Sequence, residues 1–158
     1  MAMAMVSVIS LNDALARVHV ALMLTLKGAP FLFNGEEIGM ADLELTTLDQ
    51  LRDTAAISQY QIMTTRLGVA AQEALQAVIA ATRDRCRSPL QWSGETNAGF
   101  SPPNIQPWLP VHPNHADGVS VAAQDGDATS MLSFYRRMLH LRRTTPALIV
   151  GEHNALQW

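Results

Sequence analysis

The window Val18 to Leu26 is apolar on almost every side and runs, through Lys27-Gly28-Ala29, straight into the unbroken apolar stretch Pro30-Phe31-Leu32-Phe33. A helix that is hydrophobic all round has to be covered on several sides. A short continuous apolar run is the pattern of a strand buried on both faces, as in a parallel sheet. Helix then buried strand is α/β grammar, so the chain reads as part of a layered or closed architecture rather than a two-helix hairpin. The strand count limits that reading. One buried-type strand, with a stub at Ala147 to Val150, cannot close a sheet, and an unpaired apolar strand is an aggregation template unless another segment or chain covers it. A homo-oligomer covering the apolar helix and strand would answer this need.

The 158 residues, 48% of them hydrophobic, fit a single domain with a substantial core, and no low-complexity linker or internal repeat marks a boundary. A net charge of −3 supplies no general field for phosphate backbones or anionic lipid, which argues against nucleic acid or a membrane surface as the main partner. The single cysteine, Cys86, excludes an internal disulfide and a cysteine-only metal site, and fits a cytoplasmic location. The apolar start lacks the basic region of a secretory signal. The longest apolar window falls well short of the roughly 20 residues that span a bilayer.

Ser10 and Asp13 form a capping-box-like pair that predicts a helix through Leu15, Val18, Leu22 and Leu26, ended by Gly28. Thr47 and Gln50 predict a second helix from about Leu48 to Leu67, and after Gly68 a third runs from about Ala70 to Ala81. From Thr82 to Ala128 six prolines gather, so this stretch is expected to be ordered but irregular, as functional loops often are. The last helix is expected from Thr129 to Arg143, with Met131, Tyr135, Met138 and Leu139 on one face and a break at Thr145-Pro146.

The long irregular stretch also holds the groups best suited to a polyhydroxylated ligand. Arg83, Arg85 and Arg87 alternate: an extended backbone would aim all three one way, whereas a helical turn would align only Arg83 with Arg87. They could hold hydroxyls or a carboxylate, or they could form an ion-pair network that pins the loop. Trp92, Phe100 and Trp108 could stack on sugar rings; for each ring alone, packing into the core is the better expectation. Glycoside cleavage needs two carboxylates flanking one bond. Glu36 and Glu37 are adjacent and diverge, Asp49 and Asp53 suit a solvated helix face, and Asp125 and Asp127 suit a loop and cap. The five histidines show no metal-ligand spacing, and no motif makes Cys86 a nucleophile, so no metal or cofactor is expected. The basic cluster Arg136 to Arg143 suits a helix C-terminus.

Taken together, Gly28 to Met40 (GAPFLFNGEEIGM), Arg83 to Trp92, Asn97 to Phe100, Pro107-Trp108-Leu109-Pro110-Val111 and Phe134-Tyr135-Arg136-Arg137 with Leu141-Arg142-Arg143 resemble the α-amylase superfamily. Within it the match is to α-glucosidases of glycoside hydrolase family thirteen, of the oligo-1,6-glucosidase kind, over roughly Asn12 to Glu152.

The resemblance implies a retaining glycoside hydrolase on an eight-stranded β/α barrel that cleaves short α-linked oligosaccharides. It implies an α/β fold class: the last helix-strand-helix portion of a (β/α)8 barrel, mostly helical with long irregular loops. Residues 1–10 match nothing in the family, 11–146 correspond to the C-terminal part of the barrel, and 147–158 to the start of a C-terminal β-domain. Pro30 to Asn34 would be the eighth strand, with Asn34 to Met40 at the active-site mouth. Family members carry arginines near the bound sugar at the positions of Arg83 and Arg87, while Asn34 and Cys86 stand where relatives commonly have other residues. The family's nucleophilic aspartate, acid glutamate and stabilising aspartate precede the matched region, so no catalytic residue carries over. The expectation is a fragment that is inactive alone.

Overall fold

The computed structural model describes residues 2–152, with side chains from residue 13 onward. These residues form two compact units, one from Met1–Gly39 with Val121–Trp158 and one from Met40–Ser120.

In the first unit α1 runs from Ala2 to Thr25. It starts earlier than the Ser10-Asp13 pair predicts because no glycine or proline interrupts it and the alanines and methionines before Ser10 propagate a helix well. Asp13 does not cap anything; it accepts from Arg17 Nε at 2.7 Å, one turn on. Gly28, at φ 127°, makes the turn after the helix in a region that other residues avoid.

Helix α5, Met131–Thr144, opens on Ser130, whose Oγ accepts the Ser133 N–H at 3.1 Å. Val20 and Leu24 of α1 bury against Met131 and Tyr135 of α5, with Ala16, Phe134 and Met138 around them. Leu139, expected on the same face, is exposed. Polar contacts fix this pairing. Arg17 donates to the Thr129 carbonyl at 2.8 Å and lies 5.2 Å over the Phe134 ring. Arg142 donates to the carbonyls of Leu24 at 2.8 Å, Leu26 at 3.0 Å and Gly28, groups that a helix end leaves without internal partners. Gln124, in the single turn α4 (Val121–Gln124), donates to the Ile38 carbonyl at 2.8 Å and accepts the Leu132 N–H at 3.1 Å.

Two expected strands are absent, and no strand occurs among the described residues. Pro30 to Phe33 is irregular, with Phe31 87% exposed. A strand exists only through its ladder partners, and this unit supplies none. Pro146–Val150 is instead the short helix α6, because Pro146 occupies its first turn, where a missing N–H costs nothing, and Thr145 precedes it with extended backbone. Residues 153–158, where a β-domain is expected to begin, lie outside the described residues.

The second unit is built on α2 (Thr54–Thr65) and α3 (Ala71–Ala81), which pack on each other. Leu43, Leu45, Leu51, Ala56, Val78 and Leu109 form its core. The helix expected over Leu48 to Leu67 is divided: Leu48–Gln50 is a 3-10 turn, Leu51 is extended, and α2 starts afresh behind Asp53. The Thr47-Gln50 signal is nonetheless used, with Gln50 Oε1 accepting the N–H groups of Thr46 at 2.8 Å and Thr47 at 3.1 Å. Beyond α3 the chain is irregular, as its prolines predict, punctuated by 3-10 turns at Arg83–Cys86, Thr96–Gly99 and Pro113–Asp117. The described residues are thus mostly helical with long loops.

Burial pushes the Tyr135 hydroxyl up from its ordinary 10.0 to about 12, helped by the charges of Glu36 and Glu37 and a hydrogen bond to Glu36. Below pH 10 the tyrosine is protonated whether the chain is folded or not. Between 10 and 12 the unfolded chain releases the proton and the native chain retains it, so stability falls as pH rises. Urea midpoints measured from pH 9.5 to 12 should decline, and Tyr135→Phe should flatten that decline.

Candidate functional site

The 3-10 turn Arg83–Cys86 is set by Asp84. Its carboxylate is 2% exposed and turned inward, where Oδ2 accepts the N–H groups of Arg52 at 2.6 Å and Asp53 at 2.7 Å. Those donors lie in the break before α2 and would otherwise lack partners. The Asp84 N–H in turn reaches Thr82 Oγ1 at 3.2 Å, and the Arg85 carbonyl accepts the Leu43 N–H at 2.8 Å. With Asp84 anchored inside, its neighbours are left outside. The Arg83 side chain is 66% exposed, its Nε 3.5 Å from Asp53 Oδ2. Arg85 is drawn to Asp42 at 3.3 Å. Arg87 is exposed and closes the turn through its N–H to the Asp84 carbonyl at 3.2 Å. The backbone here is thus a tight helical turn rather than extended, and the surface ion pairs contribute little to pinning the loop, since exposed pairs are worth about 0–1 kcal/mol.

Asp53 caps α2 by accepting the Ala55 N–H at 3.0 Å. That N–H, joined by the Arg83 guanidinium and opposed by some burial, holds its carboxyl below the ordinary carboxylate value.

Past Pro89 the loop is held by two devices. Gln91 is fully buried; its Nε2 donates to Asn114 Oδ1 at 3.0 Å and to the Val119 carbonyl, while its Oε1 has no hydrogen-bond partner. Next, Asn97 at φ 54°, Ala98 at φ 53° and Gly99 at φ 67° make a left-handed turn. For non-glycine residues this conformation costs roughly 1–2 kcal/mol each. It persists because Ala98 is wholly buried and its carbonyl accepts from Trp92 and Ser93, while Asn97 Nδ2 reaches Ser101 Oγ and the Pro102 and Ile105 carbonyls. Glycine is required at 99, where a Cβ would lie 2.6 Å from Ser93 Oγ.

The turn delivers Phe100 to Trp108, ring centres 5.3 Å apart and planes at 82°. Trp108 Nε1 donates to the Arg87 carbonyl at 3.3 Å, so the aromatic pair is tied to the arginine turn. Core packing, expected for each ring alone, is not what they do: Trp92 is 49%, Phe100 36% and Trp108 55% exposed. Beside Phe100 lies a recess lined by Glu95, Thr96, Gly99, Ser101, Pro102 and Pro103.

Other candidates have structural employment. Glu37 Oε2 accepts the Gly35 N–H at 2.8 Å and Glu36 meets Tyr135, so the pair fixes its own turn. Asp125 pairs with Arg136 at 2.7 Å, and Asp127 Oδ1 accepts from the Thr129 N–H and hydroxyl. Arg137 and Arg142 donate to backbone carbonyls. His112 Nδ1 accepts the Asn114 N–H at the start of a 3-10 turn, Cys86 is exposed with its Sγ 3.2 Å from the Arg83 carbonyl, and His153 lies outside the described residues. Among the described residues no group of three His, Cys, Asp or Glu is placed to hold a metal ion, and no helix is long and apolar enough to cross a membrane.

Residues 4–151 match the alpha amylase catalytic domain. The chain belongs to the alpha-amylase catalytic-domain family. Its relatives include a probable oligo-1,6-glucosidase of Bacillus subtilis (strain 168), 32% identical over 145 residues, which covers 92% of this chain and 25% of that protein. An α-glucosidase of Pediococcus pentosaceus is 36% identical over 132 residues, covering 83% and 23%. Among solved structures, isomaltulose synthase from Klebsiella sp. LX3 superposes with a TM-score of 0.80 at 30% identity, over 90% of this chain and 25% of that one. Trehalulose synthase from Pseudomonas mesoacidophila MX-45 does so with a TM-score of 0.77 at 36% identity, over 87% and 24%. This alpha-amylase family chain thus spans about a quarter of the length of the curated relatives it matches, 25% in the first case.

Asp84→Ala strips two backbone donors of a charged acceptor and should cost about 3 kcal/mol in urea unfolding. Asp84→Asn keeps one acceptor oxygen of the same shape and should cost about 1 kcal/mol. Equal costs for the two would show that a neutral oxygen of the same shape does not replace the carboxylate, and that its charge holds the turn.

Proposed function

We propose that this chain forms the sugar-facing wall of an α-glucosidase-type site for short α-linked oligosaccharides, with Arg83 and Arg87 holding substrate hydroxyls. One observation carries the reading. Asp84 is spent inside on the backbone of Arg52 and Asp53, which leaves Arg83 and Arg87 exposed on a braced turn. A braced backbone presents both arginines before any ligand arrives, and guanidinium donors suit vicinal hydroxyls. In this reading residues 11–146 are the last part of a (β/α)8 barrel, with Pro30 to Asn34 becoming a strand when neighbouring strands offer a ladder, and 147–158 lead into a β-domain.

The 158-residue polypeptide by itself is proposed to be inactive. Retaining hydrolysis requires a carboxylic acid and a carboxylate roughly 5 Å apart across the bond. Glu36, Glu37, Asp53, Asp84, Asp125 and Asp127 are engaged in caps, turns and ion pairs, which supports the absence of such a pair. The purified chain should release no glucose from maltose or isomaltose above the buffer blank. Isomaltose should nevertheless shift its NMR signals, and Arg83→Ala or Arg87→Ala should weaken that binding about tenfold. Glucose release would overturn the inactivity, and unchanged affinity in both variants would overturn the role of the arginines.

A second reading is favoured by α1, where Leu15, Val18 and Leu22 are 51%, 53% and 52% exposed beside Phe31 at 87%. Such an apolar face would draw copies of the isolated chain together. Light scattering should report a mass of at least a dimer, lowered by Leu22→Lys. A monodisperse monomer would overturn this reading.

A further inference from the structure

The Phe100–Trp108 pair suggests a use that the two arginines do not exhaust. An indole buried for packing hides its ring and finds its N–H a partner inside. Trp108 does the second and not the first: its N–H is satisfied by the Arg87 carbonyl at 3.3 Å, yet the residue is 55% exposed. Its orientation is fixed twice, by that hydrogen bond and by the perpendicular contact with Phe100. Phe100 is itself set by the left-handed turn at Asn97–Gly99, whose backbone strain is held by three hydrogen bonds from Asn97. An indole has two faces, and an edge-to-face contact with one neighbour occupies at most one of them. A flat apolar face, held rigid in solvent on a backbone group of an exposed arginine, matches a pyranose ring, which offers C–H groups on its face and hydroxyls at its rim.

We propose that Trp108 is a stacking platform for a sugar unit of an α-linked oligosaccharide, adjacent to the unit whose hydroxyls Arg87 holds. The inference rests on the sugar-side reading of Arg83 and Arg87 and adds a specificity element to it. The platform favours a disaccharide over a monosaccharide, because only the longer ligand reaches both the guanidinium and the ring. Stacking of one ring is worth roughly a fivefold gain in affinity.

The test titrates the full chain with glucose and isomaltose and follows the indole N–H signals of its three tryptophans, that of Trp108 being identified by its loss in Trp108→Phe. The Trp108 signal should shift with isomaltose and hardly with glucose. Trp108→Ala should abolish the roughly fivefold preference for isomaltose over glucose, whereas Arg87→Ala should weaken both sugars alike. A Trp108 signal that stays put at saturation with isomaltose overturns the platform, and this readout needs no variant to fold. If Trp108→Ala keeps the preference while Arg87→Ala weakens both sugars, the platform fails and the arginine reading stands. If Trp108→Ala removes the preference while Arg83→Ala and Arg87→Ala bind normally, the platform stands and the arginine reading fails. No binding of either sugar overturns both.

Discussion

The carboxylate of Asp84 is the point on which the candidate site depends. It satisfies the N–H groups of Arg52 and Asp53 within the protein, and so does two jobs with one group. It ends the run that begins at Leu48 and lets α2 begin behind Asp53, which is why one predicted helix becomes two elements. It also commits the intervening residue of the arginine run to the interior. Had Asp84 pointed outward, the nearest cations would have neutralised it, and the turn would have presented a self-compensated surface. Directing the anion to backbone donors keeps the guanidiniums available. A charge-assisted bond to two N–H groups is worth more than an exposed ion pair, and that difference selects the inward arrangement.

From that turn the organisation propagates through the backbone rather than through charge. The Arg87 carbonyl takes the Trp108 indole N–H, Trp108 meets Phe100 edge to face, and Phe100 leaves a left-handed turn whose middle residue, Ala98, is fully buried. Gln91 fastens the preceding segment to the Asn114 side chain and the Val119 carbonyl. An irregular stretch rich in proline gains its order here because side-chain amides replace the ladder or helix bonds that its backbone cannot make.

Much of this was legible in the sequence, and the misses have physical causes. Helix interiors declare themselves through periodicity and composition, so α3 and α5 fall within one or two residues of their expected bounds. The start of α1 was set too late because Ser10 and Asp13 imitate a cap in a chain with no breaker before them. The stretch Pro30 to Phe33 reads as a strand from its apolar content, but strand formation is a property of a pair, and content cannot supply the partner. Ala147 to Val150 also reads as a strand from its branched residues, and Pro146 at a helix start outweighs that preference. At the site, the exposure of Arg83 and Arg87 hung on a choice between extended and helical backbone that alternation alone leaves open. Asn97 and Gly99 carry the usual marks of a left-handed turn, whereas Ala98 between them carries none.

The same features bear on how such a chain relates to its larger relatives. It spans about a quarter of the curated proteins it matches, 25% in the first case, yet superposes on solved family structures with TM-scores up to 0.80. The contacts that build the arginine turn explain how its shape can be specified locally. Asp84, Arg52, Asp53, Thr82 and Leu43 all lie within Met40–Ser120, as do Arg87, Trp108 and Phe100. Local satisfaction of buried polar groups therefore secures the shape of this turn within one unit. The apolar run Pro30 to Phe33 is the opposite case: its backbone donors and acceptors have no ladder here, and its aromatic rings face solvent. A surface closed within one unit and a strand that needs neighbours place different demands on folding. Ligand-holding geometry can be preformed where catalytic geometry, which must set two carboxylates across one bond, depends on elements far apart in the chain.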